Sequence, residues 1–557
     1  MTPRLSRRGR YAAVSGALML ASGAALAAPP LVSLGGVALA SLMTAYLLFF
    51  PTAIALSRRQ IEMRWWLVTA GEDGGALTPG RSFPVPVSLR NRSPKPLWVL
   101  SIDVIASSAV DVGAAEPAGV AAGSQVEVTP RASARAAGYH ALHGAVITLG
   151  DLFGLFEVRA YFPSFLELKV VPRAKPARVA KDATEPPSLD SARAGRSPSR
   201  RRGVAGDVRE IREHQRGDPW KLIAWKSTAR RGRLMVRELD TEIVSTHLLL
   251  LDVAGPMREG EPGRRPLDAA LDAAAALGRA ALDRGDRVGL IAFSSRVVAE
   301  LSPGAGPRHH LALVDRLLEQ TSVFRLDEID LDPGALAAAA ARYLAHQEGI
   351  DARLRRAPGP GDPAWSHVVA GPDGQLYDLA LLARVAGALV DKARARAARS
   401  PRRHTRAGAP GDDAGAVDPR LTQLARLCKL RGIELPPKRE HEPGVRAAAL
   451  ADAASRALSG SRPSSIVLIS DLGCVTDDPS AALRPLSRAR RAGRRVIALA
   501  APDAPAPDRA LDRTASAAAE VLADDARLRL AEARRALAGA GITVSELAPT
   551  TRSRRAA

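Results

Sequence analysis

The spacing of apolar positions changes character along this chain, and each change predicts a different kind of element. Tyr11 to Ala28 and Leu31 to Leu56 are free of charge and almost wholly apolar, with Ala28-Pro29-Pro30 as a tight turn between them. At about 1.5 Å per residue the first reaches roughly 27 Å, and the second spans a bilayer with room to tilt. From Arg81 to Arg173 the pattern becomes short and alternating. Phe83–Leu89, Leu97–Val104, Gln125–Val128 and Leu166–Val171 read as strands between Gly- and Pro-rich turns, which suggests a small antiparallel β-sandwich. No catalytic constellation is visible there, so packing and docking are its expected work. Lys175 to Gly206 is rich in Pro, Ser, Ala and Arg and reads as a flexible linker.

The second half alternates strands with helices. Thr246–Asp252, Arg287–Phe293, Ser464–Asp471, Arg495–Ala500 and Ile542–Ser545 read as strands, the first a short run of the buried, parallel-sheet type and Ser464–Asp471 another buried strand. Leu267–Leu282, His310–Leu318, Pro333–His346, Ala481–Arg491 and Asp524–Ala538 read as helices. Together they predict a doubly wound parallel sheet. Residues 342–462 are longer than a fold connection requires and read as an insertion. Helices are expected there at Leu379–Ala398 and Arg420–Arg431, with disordered stretches at 357–363 and 408–417.

One segment is more specific than the rest: Gly217-Asp218-Pro219-Trp220 through Gly232, followed by Leu234-Met235-Val236. Asp218 suits a helix N-cap and Pro219 the first helical position. Trp220, Ile223, Ala224 and Ser227 would then share one helical face, as in an ordinary capped helix with a buried tryptophan, and Gly232 could take the left-handed position past the helix end. The segment resembles the signature of the bacterial family called domain of unknown function 58. Members of that family carry a Gly-Asp turn, an Ile-x-Trp pair, a Ser-Ala-Arg-like segment and a Leu-x-Val strand. Here these are Gly217-Asp218, Ile223-Ala224-Trp225, Ser227-Thr228-Ala229-Arg230 and Leu234-Met235-Val236, with Thr228 as an extra residue. His143 to Phe156 resembles the family too, through its Asp-x-Phe-Gly-Leu-Phe turn. We expect Gly217, Asp218, Pro219, Ile223, Trp225, Ala229 and Arg230 to fix how the sandwich and the α/β domain sit.

The strand-terminal Asp252 and the Ser470-Asp471 pair resemble a von Willebrand factor A domain. That fold carries a metal-ion-dependent adhesion site at the carboxyl ends of its strands, where Mg²⁺ takes an oxygen shell. The match is degenerate. Ala254 and Pro256 stand where the family has serines, and the region of Asp330-Leu-Asp332 offers no clear threonine. Asp252 and Asp471 remain as candidate ligands, and Mg²⁺ is the cofactor the resemblance would allow, although none is firmly called for. His404, His441 and Cys428 lack zinc-ligand spacing.

Composition narrows the picture further. At 557 residues the chain should hold at least two domains, and two cysteines cannot make a disulfide framework. The formal charge of +21 is concentrated in Arg4–Arg10, Arg193–Arg202, Arg394–Arg406 and Arg552–Arg555. With aromatics at 4% and none interleaved with these runs, base stacking has little to work with, which disfavours nucleic acid. Arginines before the first span, and Arg58, Arg59 and Arg64 after the second, place both ends in the cytoplasm as a two-span hairpin in the bacterial inner membrane. Ala25-Leu26-Ala27 also resembles a signal-peptide cleavage site, but the second span would still hold the chain.

No P-loop, His-Glu-x-x-His or Gly-x-Ser-x-Gly pattern occurs, so a non-enzymatic protein is expected. The expected organisation is a transmembrane hairpin over 1–60, a β-sandwich over 61–174, a linker over 175–206 and the signature element over 207–245. A von Willebrand factor A-like domain follows over 246–548, and a basic tail over 549–557. The family resemblance implies an adaptor or assembly protein working with a MoxR-type AAA+ ATPase. The alternatives are a metal-dependent enzyme at the cytoplasmic face, or binding of anionic lipid or nucleic acid through the arginine runs.

Overall fold

The computed structural model describes residues 3–57, 60–67, 76–115, 117–151, 153–173, 208–216, 218–239, 245–321, 332–354, 367–399, 418–431, 443–460, 463–502 and 513–547, with 359, 362, 365, 433 and 435 singly. The expected linker and basic tail, and also Gly217, Asp330, His404 and His441, lie outside the described residues. A short strand, β1 (Arg4–Leu5), leads into helix α1 (Arg7–Ala25), capped by Ser6, whose Oγ accepts from the Gly9 N–H. Helix α2 (Pro29–Ser57) packs against it. The two backbones approach closely. A Cβ added at Gly35 would lie 2.7 Å from both the Gly16 carbonyl oxygen and the Leu20 nitrogen. Among the described helices, Pro29–Leu56 is the one long and apolar enough to cross a membrane. The expected first span coincides with α1, which opens on Arg7, Arg8 and Arg10 and does not meet that standard.

Ten strands follow: β2 (Ile61–Trp65), β3 (Ser82–Pro84), β4 (Val87–Asn91), β5 (Leu97–Ala106), β6 (Val110–Val112), β7 (Ala118–Val120), β8 (Gln125–Val128), β9 (Arg131–Ala134), β10 (Gly138–Gly150) and β11 (Phe156–Val170). They form three antiparallel sheets, ordered β1-β11-β10-β5-β7, β2-β4-β8 and β3-β9-β6. All three share one core with Phe49, Ala53 and Leu56 of α2. The expected Phe83–Leu89 strand is two strands, because Pro84 and Pro86 cannot donate to a ladder.

The remaining elements are β12 (Val208–Glu213), α3 (Trp225–Arg231), β13 (Met235–Leu239), β14 (Thr246–Asp252), α4 (Pro266–Asp283), β15 (Arg287–Phe293), β16 (Val297–Gly304), α5 (Pro307–Glu319) and α6 (Pro333–Tyr343). After them come β17 (Val368–Ala370), β18 (Leu376–Asp378), α7 (Leu379–Arg399), α8 (Pro419–Leu430) and α9 (Val445–Gly460). The chain closes with β19 (Ser465–Ser470), α10 (Gly473–Asp477), α11 (Pro479–Arg491), β20 (Arg495–Ala500), α12 (Arg513–Gly539) and β21 (Thr543–Glu546). A six-stranded sheet runs β16-β15-β14-β19-β20-β21. It is parallel except at β16, which returns antiparallel to β15 as an edge strand not expected from sequence.

Side-chain alternation divides this sheet between two cores. Leu248, Leu250, Ile466 and Leu468 face α9, α11 and α12, while Leu249, Leu251, Val467 and Ile469 face α4 and α5. The sheet is therefore covered by helices on both faces. Helices α6, α7 and α8 keep a separate core around Leu336, Leu382, Leu424 and Cys428. The expected insertion of 342–462 is too long at its end. Helix α9 packs on the sheet through Ala447, Leu450 and Ala454 and belongs to the α/β layer.

Candidate functional site

The signature element is a small unit built around the β12–β13 hairpin, in which Glu213 pairs with Met235 and Arg212 with Val236. The expected single helix from Pro219 does not form. Trp220–Leu222 is one 3₁₀ turn, and Ile223 then extends (ψ 125) and bridges to Val236 before α3 begins at Trp225. A β-branched residue beside a strand favours that extended state over a continued helix. Gly232 does take the left-handed position after the helix, at φ 64.

Asp218 does not cap a helix, which corrects the sequence expectation. Both of its oxygens are taken by Arg212, Nη1 to Oδ2 at 2.8 Å and Nη2 to Oδ1 at 2.9 Å, and Oδ2 also accepts from the Gln215 N–H at 2.8 Å. The Asp218 side chain is 1% exposed, so this bidentate pair is a buried brace. Thr228, the residue extra to the family pattern, accepts from the Met235 N–H at 3.0 Å and ties α3 to the hairpin.

Ile223 and Ala224 are buried, with Met235 and Val236. These four join none of the larger cores among the described residues. Trp220 and Trp225 are exposed by 69% and 64%, the reverse of the expected burial. Pro219, Ala229 and Arg230 are exposed beside them, as are Arg216, Lys221, Lys226 and Arg231. A cross-braced element thus presents two tryptophans inside a basic surface.

Contacts between the β-sheets and the α/β half are made by residues that sequence reasoning did not name. The Arg173 N–H donates to Asp272 Oδ1 on α4 at 2.8 Å, and Lys169 Nζ pairs with Asp315 on α5 at 2.5 Å. Ala137 of the β half packs with Val314 and Leu318 of α5. Farther along, Tyr161 donates to Gln347, Arg431 covers the Phe165 ring at 4.6 Å, and Tyr343 sits edge-on to His143. Burial, the largest cause, pushes the Asp272 carboxyl up to about 6 and lowers His143 to about 4.

The strand-end carboxylates do come together. Asp252 ends β14 and Asp471 follows β19, and Arg446 Nη2 lies 2.8 Å from Asp252 Oδ2 and 2.6 Å from Asp471 Oδ1. Ser470 Oγ donates to Asp252 Oδ2 at 2.7 Å and lies 3.1 Å from Asp471 Oδ1. The N–H groups of Ala254 and Gly473 complete the two carboxylates, both at 3.0 Å. Leu472 takes a left-handed φ of 65, a strained backbone state that turns the chain tightly around Ser470. Burial followed by the Asp471 charge raises the Asp252 pKa against the opposing pull of Arg446. Burial alone would lower Arg446, but Asp252 and Asp471 together hold it above its ordinary value.

Two carboxylates and one hydroxyl do not fit Mg²⁺ here. The ion wants a near-octahedral set of oxygens at about 2.0–2.1 Å, and the oxygens that face each other already hold a guanidinium. Asp332, near the expected threonine position, instead caps α6 through the Ala335 N–H. Among the described residues no group of three or more His, Cys, Asp or Glu could hold a metal. Sequence reasoning missed Arg446. The available signal was the Ala-rich helical run from Val445, which lies inside the stretch assigned to the insertion.

Residues 210–344 match the family model described as "Protein of unknown function DUF58". No curated protein matches the chain. Among solved structures, a FixG-related protein from Vibrio parahaemolyticus is 10% identical, covering 20% of this chain and 96% of its own at a TM-score of 0.14. Native alpha-2-macroglobulin from Escherichia coli is 15% identical over 20% of this chain and 16% of its own, at 0.16. The PapD-like domain 7 of human CEP192 is 12% identical over 20% and 85%, at 0.15.

Proposed function

On the premise that this chain belongs to the DUF58 family, we propose that it is a membrane-anchored, non-enzymatic adaptor that works through its surfaces. In this reading α1 and α2 form a two-span hairpin in the bacterial inner membrane, with the arginines flanking it holding the soluble domains in the cytoplasm. The six-stranded α/β domain is of the von Willebrand factor A kind, and its partner is a MoxR-type AAA+ ATPase.

The observation that carries this reading is the exposure of Trp220 and Trp225 on an element braced from within by Arg212 and Asp218. A fold that spends a buried bidentate ion pair on so small a unit, and leaves both tryptophans outside, has the composition of a protein-binding hot spot. The surrounding lysines and arginines favour an acidic partner surface. Catalysis has no comparable support, since the strand-end carboxylates are engaged by Arg446. Capture of the full chain from detergent-solubilised membranes, with nucleotide present, should recover an AAA+ ATPase. Repeated capture without one would end this reading.

A further inference from the structure

The side chain of Arg446 is 8% exposed, and its Nε is buried without a hydrogen-bond partner. It stands in the first turn of α9, where the helix dipole is positive and a cation is disfavoured. A buried charge so placed is costly unless something recovers the cost. The recovery is visible. One guanidinium nitrogen reaches Asp252 and Asp471 together, and Ser470, Ala254 and Gly473 hold the carboxylates in place. The surroundings are also shaped for it, because a Cβ at Gly473 would lie 2.8 Å from Arg446 Nη1.

We propose that Arg446 is the built-in cation of this strand-end site, standing between Asp252 and Asp471 in the place of a divalent metal ion. Its charge is complementary to the two carboxylates, and its covalent attachment makes the site independent of metal supply. Because α9 carries the cation, the ends of β14 and β19 are also latched to that helix. The assignment concerns the α/β domain alone and is independent of the proposed partner.

The test uses the full chain in nanodiscs with Mn²⁺ as the probe, read by electron paramagnetic resonance and by thermal midpoint. Wild type should show no bound Mn²⁺ at millimolar metal, and its midpoint should not move with Mn²⁺ or EDTA. Arg446→Ser should be less stable, should gain a saturable Mn²⁺ site, and should regain stability with Mn²⁺. Asp471→Asn in that background should abolish the new site. Arg446→Lys, which keeps a cation in place, should remain folded and take up no Mn²⁺. Mn²⁺ binding by wild type that Asp471→Asn removes would overturn the proposal, and so would a folded Arg446→Ser chain that takes up none. If Arg446→Ser does not fold, wild type and Arg446→Lys decide by the same criteria.

Discussion

Asp272→Asn isolates the buried joint between the β-sheets and the α/β domain. The Asp272 side chain accepts the Arg173 N–H at 2.8 Å, and burial raises its carboxyl from 3.8 to about 6. The folded state therefore holds a proton that the unfolded chain releases between pH 3.8 and about 6. Stability is lost as pH rises through that window, and the whole cost is present above it. At about 1.4 kcal/mol per pH unit the cost at neutral pH is about 3 kcal/mol at most. Asparagine keeps the accepting oxygen and carries no charge. In thermal melts of the full chain from pH 4 to 8, the variant should match wild type at the acid end. It should then gain a growing advantage that levels off above pH 6, on the order of 1 °C for each kcal/mol. The added amide can superimpose a constant offset on this trend, so the slope with pH is the observable. A difference that does not vary with pH would refute the assignment of Asp272 as a desolvated acid.

Two further perturbations follow from the packing. Arg212→Ala removes the bidentate partner of the buried Asp218 carboxylate, which should cost the signature element about 3 kcal/mol and expose β12–β13 to hydrogen exchange. Unchanged protection of the Met235 and Val236 amides would contradict the brace. Gly35→Ala puts a methyl against backbone atoms of α1 that cannot move aside, so the helix pair should separate and the thermal midpoint in nanodiscs should fall by several degrees. A midpoint equal to that of wild type would mean that the close approach is not maintained.

Much of the α/β half was legible because buried parallel strands are short apolar runs with clear ends. Thr246–Asp252, Arg287–Phe293 and Arg495–Ala500 form as their sequences indicate. Less legible was anything that depends on distant partners. Arg446 and Asp252 are 194 residues apart, and Arg173 and Asp272 are 99 apart. An ion pair or a single backbone hydrogen bond leaves no periodicity to read. The signature element failed for a local reason. Helical spacing put Trp220, Ile223 and Ala224 on one face, but the bridge from Ile223 to Val236 interrupts the helix. The apolar side chains of Ile223 and Ala224 turn inward, and both tryptophans are left outside. Contacts between the β-sheets and the α/β half are likewise long-range, made by Arg173, Lys169 and Tyr161 with partners on α4, α5 and the turn after α6.

In the proposed adaptor, the exposed Trp220 and Trp225 would meet another molecule from an element braced by Arg212 and Asp218. Preorganisation of this kind reduces the entropy lost on association.

The most direct measurement compares the full-length wild type with the Trp220→Ala/Trp225→Ala chain as bait for an AAA+ ATPase in native membranes under nucleotide. Equal thermal midpoints would show that both baits are folded, as expected for side chains 69% and 64% exposed. Wild type should retain the ATPase, and the double variant should bind it about thirtyfold or more weakly, the loss expected for one hot-spot residue of about 2 kcal/mol. Equal retention by the two chains, or none by either, would contradict an adaptor that engages its partner through these tryptophans.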